Sequence, residues 1–464
     1  MLQEEIGKDV ASRRQADDGI VGKGEIPAAG SSVWRPMLRK SELRRMNRPV
    51  KWLFVGSVYP DAWEERFGVG SSPTIDVQRS LLAALSRRGW KPDAILTTPP
   101  VRLFPRDRFQ WFPREVEGTI EGYPDIPLVP LGWNNLEPLK TLGIAGQLKH
   151  YIFSWCRIAR SEGADPRLLV YNLGPTHEQG GFLAGICRSL RLPVYPLVTD
   201  LDFSGKGKAS PSTWRFNWQV RLLQAATKIA ALNPNVLSEF GEGKPTLHLP
   251  GIAPDQPFFE KLLTLPVKEA EGNTVTFLYS GSLNRPRGIV RLLEAFQQLD
   301  SEGVRLRITG KGPEEGRVRD FANSHENVEY RGFLKTEEER LEAISGADIL
   351  VNPHEIDTPE ARYLFPSKLA EYLASGRMVV SSRLPGMAAF PLEEMVLSED
   401  DSSASFAAAM ASAAARSPAE RSSSASRARE WSRIRFDWDE IGGKLLAFLM
   451  EKDPTVPSAA GMGA

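Results

Sequence analysis

The residues of this chain whose types and spacing best suit chemistry lie together in residues 365–376, FPSKLAEYLASG. Ser367 and Glu371 are four apart and Lys368 and Glu371 are three apart, so a helix beginning here would place all three on one face near its N-terminus. The free amides of that helix end, a hydroxyl, an ammonium and a carboxylate would then converge. This combination predicts a site for a phosphate with a sugar hydroxyl beside it.

A second candidate phosphate site lies in residues 279–288, YSGSLNRPRG. The small residues Gly281 and Ser282 follow a predicted strand, and Arg285 and Arg287 stand where a predicted helix begins. Small residues and guanidinium groups at a helix N-terminus suit a diphosphate. Taken alone, the segment is equally compatible with an ordinary solvated loop.

Three further loops follow predicted strands and contain residues that could contact a ligand. Lys311 stands between two glycines, in a turn that would let the backbone approach a ligand closely. Arg331 and Phe333 flank a glycine, where either a nucleobase could pack or a plain turn could lie. Glu355 follows a histidine after the next strand. We expect these loops to form one wall of a cleft.

Two series of alternating strands and helices position these loops. The predicted strands are residues 50–57, 93–98, 167–172 and 192–198 in the first series, and 274–281, 304–310, 328–331, 348–352 and 378–381 in the second. Near-continuous apolar strands that alternate with helices indicate parallel sheets covered on both faces. The predicted fold class is therefore α/β, with two doubly wound sheets that bind ligands outside the carboxyl ends of their strands.

The chain divides into five segments where this pattern changes. We predict a flexible N-terminal extension over residues 1–48, a Rossmann-like domain over 49–252, a second Rossmann-like domain over 253–425, a closing helix over 426–452 that packs back toward the first domain, and a disordered tail over 453–464.

Composition and charge argue against several classes of protein. The chain has 464 residues with 58 basic and 58 acidic side chains, so bulk charge gives no reason to expect a nucleic-acid partner. Cys156 and Cys187 fall in predicted helices, and we expect buried, inert thiols. The five His are scattered, and no ligand spacing indicates a metal site. Without a signal peptide or a membrane-spanning stretch, we expect a cytoplasmic protein that could still attach to a membrane surface.

Residues 274–399 resemble the donor domain of retaining GT-B glycosyltransferases of the family 4 type, particularly bacterial enzymes of exopolysaccharide and capsule assembly. The resemblance is carried by YSGSL at residues 279–283, GKGPE at 310–314, RGF at 331–333 and FPSK at 365–368 with Glu371. It implies two Rossmann-like domains that face each other across a cleft, the first on the acceptor side and the second on the donor side. It also implies a UDP- or GDP-linked sugar as donor substrate, with no separate cofactor.

The same resemblance assigns roles to individual residues. It implies that Glu371 holds the donor ribose, that Arg287 meets the diphosphate, and that residues 331–333 contact the nucleobase. Two positions depart from the family pattern: Tyr363 stands eight residues before Glu371, where the family often has a second Glu near the sugar, and Ser282 stands where an arginine is common. Arg285 could compensate for the missing arginine.

The candidate catalytic residues are Tyr363, Glu355 and His177. Glu355 or Glu360 could supply the carboxylate that Tyr363 lacks. His177 begins a predicted helix in the first domain, where it could orient an acceptor hydroxyl or simply cap the helix.

Two acceptor-side candidates are Gly70, in a glycine-containing loop after the first strand, and Asp200, after the strand at 192–198. Asp200 and Asp202 have the spacing of a metal motif, but they lie away from the expected diphosphate, so we expect no metal.

Two basic segments bear on membrane attachment. Residues 102–114, RLFPRDRFQWFPR, mix basic and aromatic side chains, which suits an anionic membrane interface or a lipid-diphosphate acceptor. A structural loop with packed aromatic rings is the alternative. The basic side chains between residues 35 and 48 could extend such a patch or belong to a solvated leader.

The favoured function is a glycosyltransferase that moves a sugar from a nucleotide sugar to a glycan acceptor, on a polyprenyl-diphosphate lipid, in bacterial surface polysaccharide synthesis. Tyr363 motivates an alternative, a non-catalytic GT-B protein that binds nucleotide or glycan as a partner protein. A nucleotide-sugar epimerase of the same shape is a third hypothesis.

Overall fold

A computed structural model describes most of the chain beyond residue 47. The described residues are 48–60, 63, 73–98, 120, 126–132, 134–136, 139–172, 180–201, 211–251, 256–266, 268, 274–299 and 302–453. Residues 1–48 form a unit separate from residues 49–464, and all contacts below lie within the second unit. The predicted extension, apart from Arg48, and the predicted tail beyond Asp453 fall outside the described residues.

The first half of this unit is built on a parallel sheet in the order β3-β2-β1-β4-β5-β6-β7. Its strands are β1 Val50–Gly56, β2 Ala94–Thr97, β3 Leu128–Pro130, β4 Asp165–Tyr171, β5 Val194–Val198, β6 Ile229–Ala231 and β7 Thr246–His248. In β1, Phe54 belongs to one hydrophobic cluster, and Leu53 and Val55 belong to another. Successive residues therefore face opposite layers, as expected for a strand covered on both sides.

Helices cover both faces of this sheet: α1 Pro73–Arg87, α2 Leu139–Ser161, α3 Gly180–Leu190, α4 Pro211–Ala225 and α5 Pro234–Phe240. The next helix along the chain, α6 Gln256–Leu263, packs against the second half. Ile144, Leu148, Ile152 and Cys156 are buried at four-residue spacing along α2, which gives that helix a single core face. Both cysteines are free and buried, as predicted. Burial raises the pKa of Cys156 to about 11 and that of Cys187 to about 12, so both thiols stay protonated.

The second half has its own parallel sheet, in the order β10-β9-β8-β11-β12-β13. Its strands are β8 Val275–Ser280, β9 Val304–Thr309, β10 Val328–Tyr330, β11 Ile349–Asn352, β12 Met378–Ser382 and β13 Met395–Ser398, and its helices before β13 are α7 Ile289–Phe296, α8 Glu315–Ser324, α9 Glu337–Ser345 and α10 Ser367–Ala374. The predicted fold class, two doubly wound parallel sheets, is confirmed. The sequence prediction missed β13, a four-residue strand that directly follows a 3₁₀ turn, Leu392–Glu394, rather than an α-helix.

Three helices complete the described chain: α11 Ser403–Ala415, α12 Pro418–Arg435 and α13 Trp438–Met450. The segment predicted as one closing helix over residues 426–452 is interrupted between α12 and α13, because the Asp437 side chain caps α13 by accepting from the amide of Glu440 at 2.8 Å. Helix α12 packs on α10, and α13 packs on α1 of the first half. Within the described residues, no helix has the length and apolar character needed to span a membrane.

Lys228, directly before β6, is fully buried where the C-terminal segment docks on the first half. Its ammonium donates to the carbonyl oxygens of Phe448 at 2.8 Å and Glu451 at 2.6 Å. The Asp453 carboxylate, 3.7 Å from that ammonium, also accepts from the Tyr195 hydroxyl at 2.6 Å. These hydrogen bonds and the nearby Asp453 carboxylate therefore hold the C-terminal end of α13 against the first sheet.

Candidate functional site

The structure brings three of the predicted loops of the second half into direct contact at the carboxyl ends of β8, β9 and β10. The amide of Leu283 donates to the carbonyl of Lys311 at 3.0 Å, and the amide of Gly310 donates to the carbonyl of Gly332 at 2.8 Å. The loops that the sequence analysis singled out separately therefore form one hydrogen-bonded wall.

Glycines allow the close packing of this wall. Gly310 has a φ of 134°, and a Cβ there would lie 1.8 Å from the carbonyl oxygen of Gly281. A Cβ at Gly312 would lie 2.4 Å from the carbonyl oxygen of Leu283. Any side chain at either position would separate the two loops, because these neighbours are backbone atoms that cannot rotate away.

The first loop continues into a 3₁₀ turn, Arg285–Arg287, whose start is fixed by the Asn284 side chain accepting from the amide of Arg287 at 3.0 Å. Gly288, with a φ of 75°, follows, and a Cβ there would lie 1.4 Å from the carbonyl oxygen of Pro353. The turn that carries both predicted arginines is therefore packed directly against the loop after β11.

A chain of buried polar groups orients Arg287. Its Nη1 donates to Nε2 of His354 at 2.6 Å, and Nδ1 of His354 donates to Oδ1 of Asn352 at 2.6 Å. The Asn352 amide in turn donates to the Ser381 hydroxyl at 2.9 Å. Since Arg287 can only donate, His354 must accept at Nε2 and carry its proton at Nδ1.

His354 is held neutral. Burial, with the charges of Arg287 and Arg291 beside it, lowers the pKa of His354 to about 3. A neutral imidazole keeps the lone pair at Nε2 that accepts the hydrogen bond from Arg287. His354 therefore orients the guanidinium without carrying a charge of its own that would act on a bound anion.

Replacing His354 with glutamine should flatten the pH dependence of stability. A folded pKa of about 3, below an unfolded value near 6.5, means that the stabilisation is complete above about pH 6.5 and is lost as the pH falls toward 3. Urea unfolding at pH 7 and pH 5 should show the parent protein losing about 2 kcal/mol more than His354→Gln across that interval. Equal losses would contradict a neutral, buried His354.

Arg291 is a site residue that sequence analysis missed. It is 5% exposed, donates to the carbonyl oxygens of Pro353 at 2.7 Å and His354, and pairs with Asp401 at 2.7 Å. Asp401 also accepts from the amide of Ile356 at 2.6 Å. This buried pair therefore shapes the turn after β11. The available signal was a charged residue within the otherwise largely apolar helix IVRLLEAF.

Glu355 lies on that turn, half-buried, and its amide donates to the carbonyl of Pro286 at 3.2 Å. Burial and the nearby Asp401 carboxylate raise the pKa of Glu355. The structure thus places this candidate carboxylate beside the arginine turn.

Helix α10 begins at Ser367, as the opening motif predicts, and its orientation is fixed through Tyr372. The Tyr372 hydroxyl accepts from the amide of Ser280 at 3.2 Å and donates to its carbonyl at 3.1 Å, which joins α10 to the last residue of β8. Glu371 is buried, and Oε2 accepts from Lys368 at 2.8 Å. The predicted Ser367, Lys368 and Glu371 therefore stand on the helix that adjoins the end of β8.

The loop after β10 carries an exposed aromatic ring. Phe333 is 54% exposed, and the Lys311 ammonium lies 4.3 Å from its ring centroid. Arg331 is engaged by the carboxylates of Glu329 at 2.6 Å and Glu342 at 3.5 Å. A planar ligand could stack on Phe333, whereas the Arg331 guanidinium is held by acidic side chains.

Tyr363 lies between the two halves rather than among the loops at the carboxyl ends of β8, β9 and β10. Its ring packs against Phe216 and Phe240 of the first half, with centroids 5.8 and 6.1 Å away. Its hydroxyl donates to Glu239 at 2.6 Å, and the same carboxylate pairs with Arg362. In this arrangement the residue that departs from the family pattern contributes to the interdomain contact.

Two asparagines of the first half extend this contact. Asn233 donates from its side-chain amide to the carbonyl oxygens of Arg362 at 3.1 Å and Leu364 at 3.0 Å. Asn235 donates to the same Arg362 carbonyl at 2.8 Å. Helix α5, which Asn233 caps, therefore holds the segment that leads into α10. The local sequence Asn-Pro-Asn after β6 indicates that Asn233 caps a helix, but it does not indicate the contact with the second half.

On the acceptor side, the structure describes Asp200 but not the other candidates. Asp200 accepts from the Asn172 amide at 3.0 Å and from the Thr199 hydroxyl at 3.1 Å, which joins the ends of β4 and β5. Gly70 and His177 lie outside the described residues, as do Asp202, residues 102–114 and the basic segment before Arg48. Among the residues that are described, no cluster of His, Cys, Asp and Glu could hold a metal ion.

Residues 274–416 match the family described as Glycosyl transferases group 1. No curated protein matches the chain at the sequence level. The matched segment runs from β8 to α11 and contains all the loops of the hydrogen-bonded wall described above.

Solved structures share the overall fold. HepE from Anabaena in complex with UDP is similar with a TM-score of 0.55 and 16% identity, over 86% of this chain and 99% of HepE. Sucrose-phosphate synthase from Thermosynechococcus elongatus gives 0.55 and 19%, over 87% and 99%. WaaG, a glycosyltransferase involved in lipopolysaccharide biosynthesis, gives 0.54 and 14%, over 87% and 100%. At these identities the similarity shows the fold, and the chain has the two-domain GT-B architecture.

Proposed function

We propose that this chain is a glycosyltransferase that transfers a sugar from a nucleotide sugar to a glycan acceptor. The observation that carries the proposal is Arg287, aimed by neutral His354 within a wall of loops that also holds the start of α10. The match of residues 274–416 to Glycosyl transferases group 1 supports the reaction class. The complexes of HepE with UDP and with UDP-glucose make a uridine donor the first to try.

The residues suit the charge that this reaction develops. Cleavage of a nucleotide sugar leaves negative charge on the departing nucleoside diphosphate, which guanidinium groups, ammonium groups and helix-end amides stabilise. Arg285, Arg287 and Lys311 supply cations, and α10 supplies amides. Glu371 is proposed to accept hydrogen bonds from the ribose hydroxyls, and Phe333 to stack on the base. The nucleotide sugar is the substrate, and the proposed reaction uses no separate cofactor; we propose retention of configuration.

Glu371→Ala tests the donor site. It should raise the KM for the nucleotide sugar about tenfold or more, since a charge-assisted hydrogen bond to a buried carboxylate contributes about 1.5–3 kcal/mol. The measurement is initial rates of UDP or GDP release over a range of donor concentrations. Glu326→Ala, an exposed glutamate of the same domain, is the matched control and should behave like the parent chain.

The outcomes of these assays distinguish the proposed glycosyltransferase from the two alternatives, a non-catalytic nucleotide-binding protein and an epimerase. Full activity in both Glu371→Ala and Arg287→Ala would overturn the site assignment. Thermal stabilisation by UDP or GDP, without turnover of any donor, would favour the non-catalytic nucleotide-binding protein. Epimerised donor without acceptor would indicate an epimerase.

We further propose that the acceptor is lipid-linked, in bacterial surface polysaccharide synthesis, and that α2 contacts the anionic membrane surface. Over its 23 residues α2 contains Lys140, Lys149, Arg157 and Arg160 and no Asp or Glu. Four of its large apolar side chains are exposed: Leu139 by 51%, Leu142 by 59%, Phe153 by 37% and Ile158 by 52%. Basic residues interspersed with exposed apolar ones suit an interfacial helix on anionic lipid.

Vesicle flotation tests this surface. The parent chain should bind phosphatidylglycerol vesicles, dissociate from them as the salt concentration rises, and not bind phosphatidylcholine vesicles. The double variant Leu142→Ser, Phe153→Ser should bind about fivefold or more weakly, because each loses apolar surface at the interface. Ile434→Ser, which removes a similarly exposed apolar side chain from α12, is the control. Equal binding by the double variant and the control would contradict a role for α2.

A further inference from the structure

The segment that leads into α10, residues 362–366, is held in part by side chains of the first half. Asn233 donates to the carbonyl oxygens of Arg362 at 3.1 Å and Leu364 at 3.0 Å, and Asn235 donates to that of Arg362 at 2.8 Å. Both carbonyl groups thus obtain donors from the other half of the chain. The position of this segment therefore depends on the first half as well as on the second sheet.

Asn233 is a firmly held anchor for that segment. It is 1% exposed, and its Oδ1 accepts from the amide of Asn235 at 2.9 Å, which caps α5. A Cβ at Gly386, in the loop after β12, would lie 2.4 Å from Nδ2 of Asn233, so the amide has little free space. Because both ends of the amide are bonded, a shift of α5 would either move the segment with it or break two hydrogen bonds.

Tyr363, in the middle of the segment, packs into the core of the first half. It is 7% exposed and belongs to the hydrophobic cluster that contains Leu222 of α4 and Val236 of α5. Its hydroxyl donates to Oε2 of Glu239 at 2.6 Å, and the same carboxylate pairs with Arg362. Burial and the hydrogen bond to Glu239 raise the pKa of Tyr363 to about 12, so the hydroxyl remains a donor at neutral pH.

A short, internally bonded connection joins Tyr363 to α10. Ser367, the first residue of α10, is four positions after Tyr363. The amide of Ser367 donates to the carbonyl of Phe365 at 2.9 Å, and the amide of Leu369 donates to that of Pro366 at 2.8 Å. The ring of Pro366 also restricts its φ. A displacement of Tyr363 would therefore be passed on to the start of α10.

We propose that Glu239 and Tyr363 are positioning residues for donor binding. The hydrogen bond between them lets the first half set the start of α10, and with it Lys368 and Glu371, although neither residue needs to touch the nucleotide sugar. The inference rests on the proposed function for the identity of the ligand. It adds that the nucleotide site is complete only while the first half is docked on residues 362–364. Nucleotide binding and this docking then strengthen each other, because such coupling is reciprocal.

Calorimetric titration of the full chain with UDP and with GDP tests the coupling. Tyr363→Phe keeps the packing of the ring and removes the hydroxyl, so it should raise the Kd of the nucleotide that binds by about threefold to tenfold. Glu239→Ala should raise the Kd by at least as much. Glu239→Gln keeps an acceptor for the hydroxyl and should recover part of the loss. In donor turnover, the same variants should raise KM more than they lower kcat.

Two further variants separate this role from a general loss of stability. Combining Tyr363→Phe with Glu239→Ala should weaken binding no more than Glu239→Ala alone, because both changes remove the same hydrogen bond. Glu242→Ala, which truncates an exposed glutamate just after α5, is the matched control and should bind nucleotide like the parent chain.

Hydrogen exchange in the ligand-free chain tests the positioning without any nucleotide. Peptides covering residues 363–371 should exchange about threefold faster or more in Tyr363→Phe and Glu239→Ala than in the parent chain, because the start of α10 opens more readily. Glu242→Ala should exchange like the parent chain.

The outcomes distinguish a failure of this inference from a failure of the proposed function. Unchanged exchange, an unchanged Kd in Tyr363→Phe and Glu239→Ala, or a double variant whose losses multiply would overturn the inference even if the chain turns over its donor. A lower Tm with an unchanged Kd, which a merely structural contact would give, would overturn it as well. Weaker nucleotide binding and faster exchange in a chain that turns over no donor would support the inference and contradict the transferase. A parent chain that binds neither nucleotide would overturn both.

Discussion

Arg287→Ala is expected to lower kcat/KM for the nucleotide-sugar donor by about 100-fold or more. Removing one preorganised group that stabilises developing negative charge costs about 10²–10³ in rate. Arg287 fits that role because neutral His354 holds it at 2.6 Å without adding a competing charge. The measurement is steady-state kinetics of donor cleavage, with nucleotide binding followed separately by thermal shift.

The control for this prediction is Arg319→Ala, which removes an exposed guanidinium of α8 paired with Glu315. It should leave kcat/KM unchanged, because surface pairs at this spacing contribute only about 0.3–0.5 kcal/mol to stability. Arg287→Lys should recover part of the loss, since it keeps the charge but not the planar guanidinium that donates to His354 and that is proposed to bind the diphosphate. If Arg287→Ala and Arg319→Ala had equal activity, Arg287 would have no part in the reaction.

Lys228→Ala is expected to lower the free energy of unfolding by about 3–5 kcal/mol. The substitution removes a fully buried ammonium, leaves the carbonyl oxygens of Phe448 and Glu451 without their donor and removes the nearby positive charge from the Asp453 carboxylate, the situation in which breaking a buried pair costs most. Urea unfolding measures the loss. Lys228→Met restores volume without a donor and should remain destabilised, which distinguishes lost hydrogen bonds from a cavity.

Lys444→Ala, which breaks an exposed pair with Glu440 on α13, is the matched control and should cost no more than about 0.5 kcal/mol. Equal stability of Lys228→Ala and Lys444→Ala would contradict a structural role for the buried lysine. Because α13 docks on α1 and Lys228 on the end of α13, proteolysis near residue 436 should accompany the destabilisation.

Local sequence patterns predicted most of the fold. Apolar runs such as those of β1 and β8 specify strands buried on both faces, and the alternation with helices specifies parallel sheets. The missed strands β3, β6 and β7 contain three residues each, which is too short for a pattern to be distinguished from a loop. Their place in the sheet comes from pairing with neighbouring strands, which is a tertiary property.

The candidate site likewise combines features that the sequence predicts with features that only the tertiary structure sets. Sequence alone determined which loops follow strand ends, and therefore that Gly281, Arg287, Lys311 and Glu371 share one edge of a sheet. Only the tertiary structure decided how the charges are partnered: Arg291 pairs with Asp401 across 110 residues, and Tyr363 donates to Glu239 across 124. The physical reason is the distance along the sequence over which each interaction acts. Backbone periodicity acts within a few residues, whereas the partner of a buried charge is set by packing between elements that no local pattern relates.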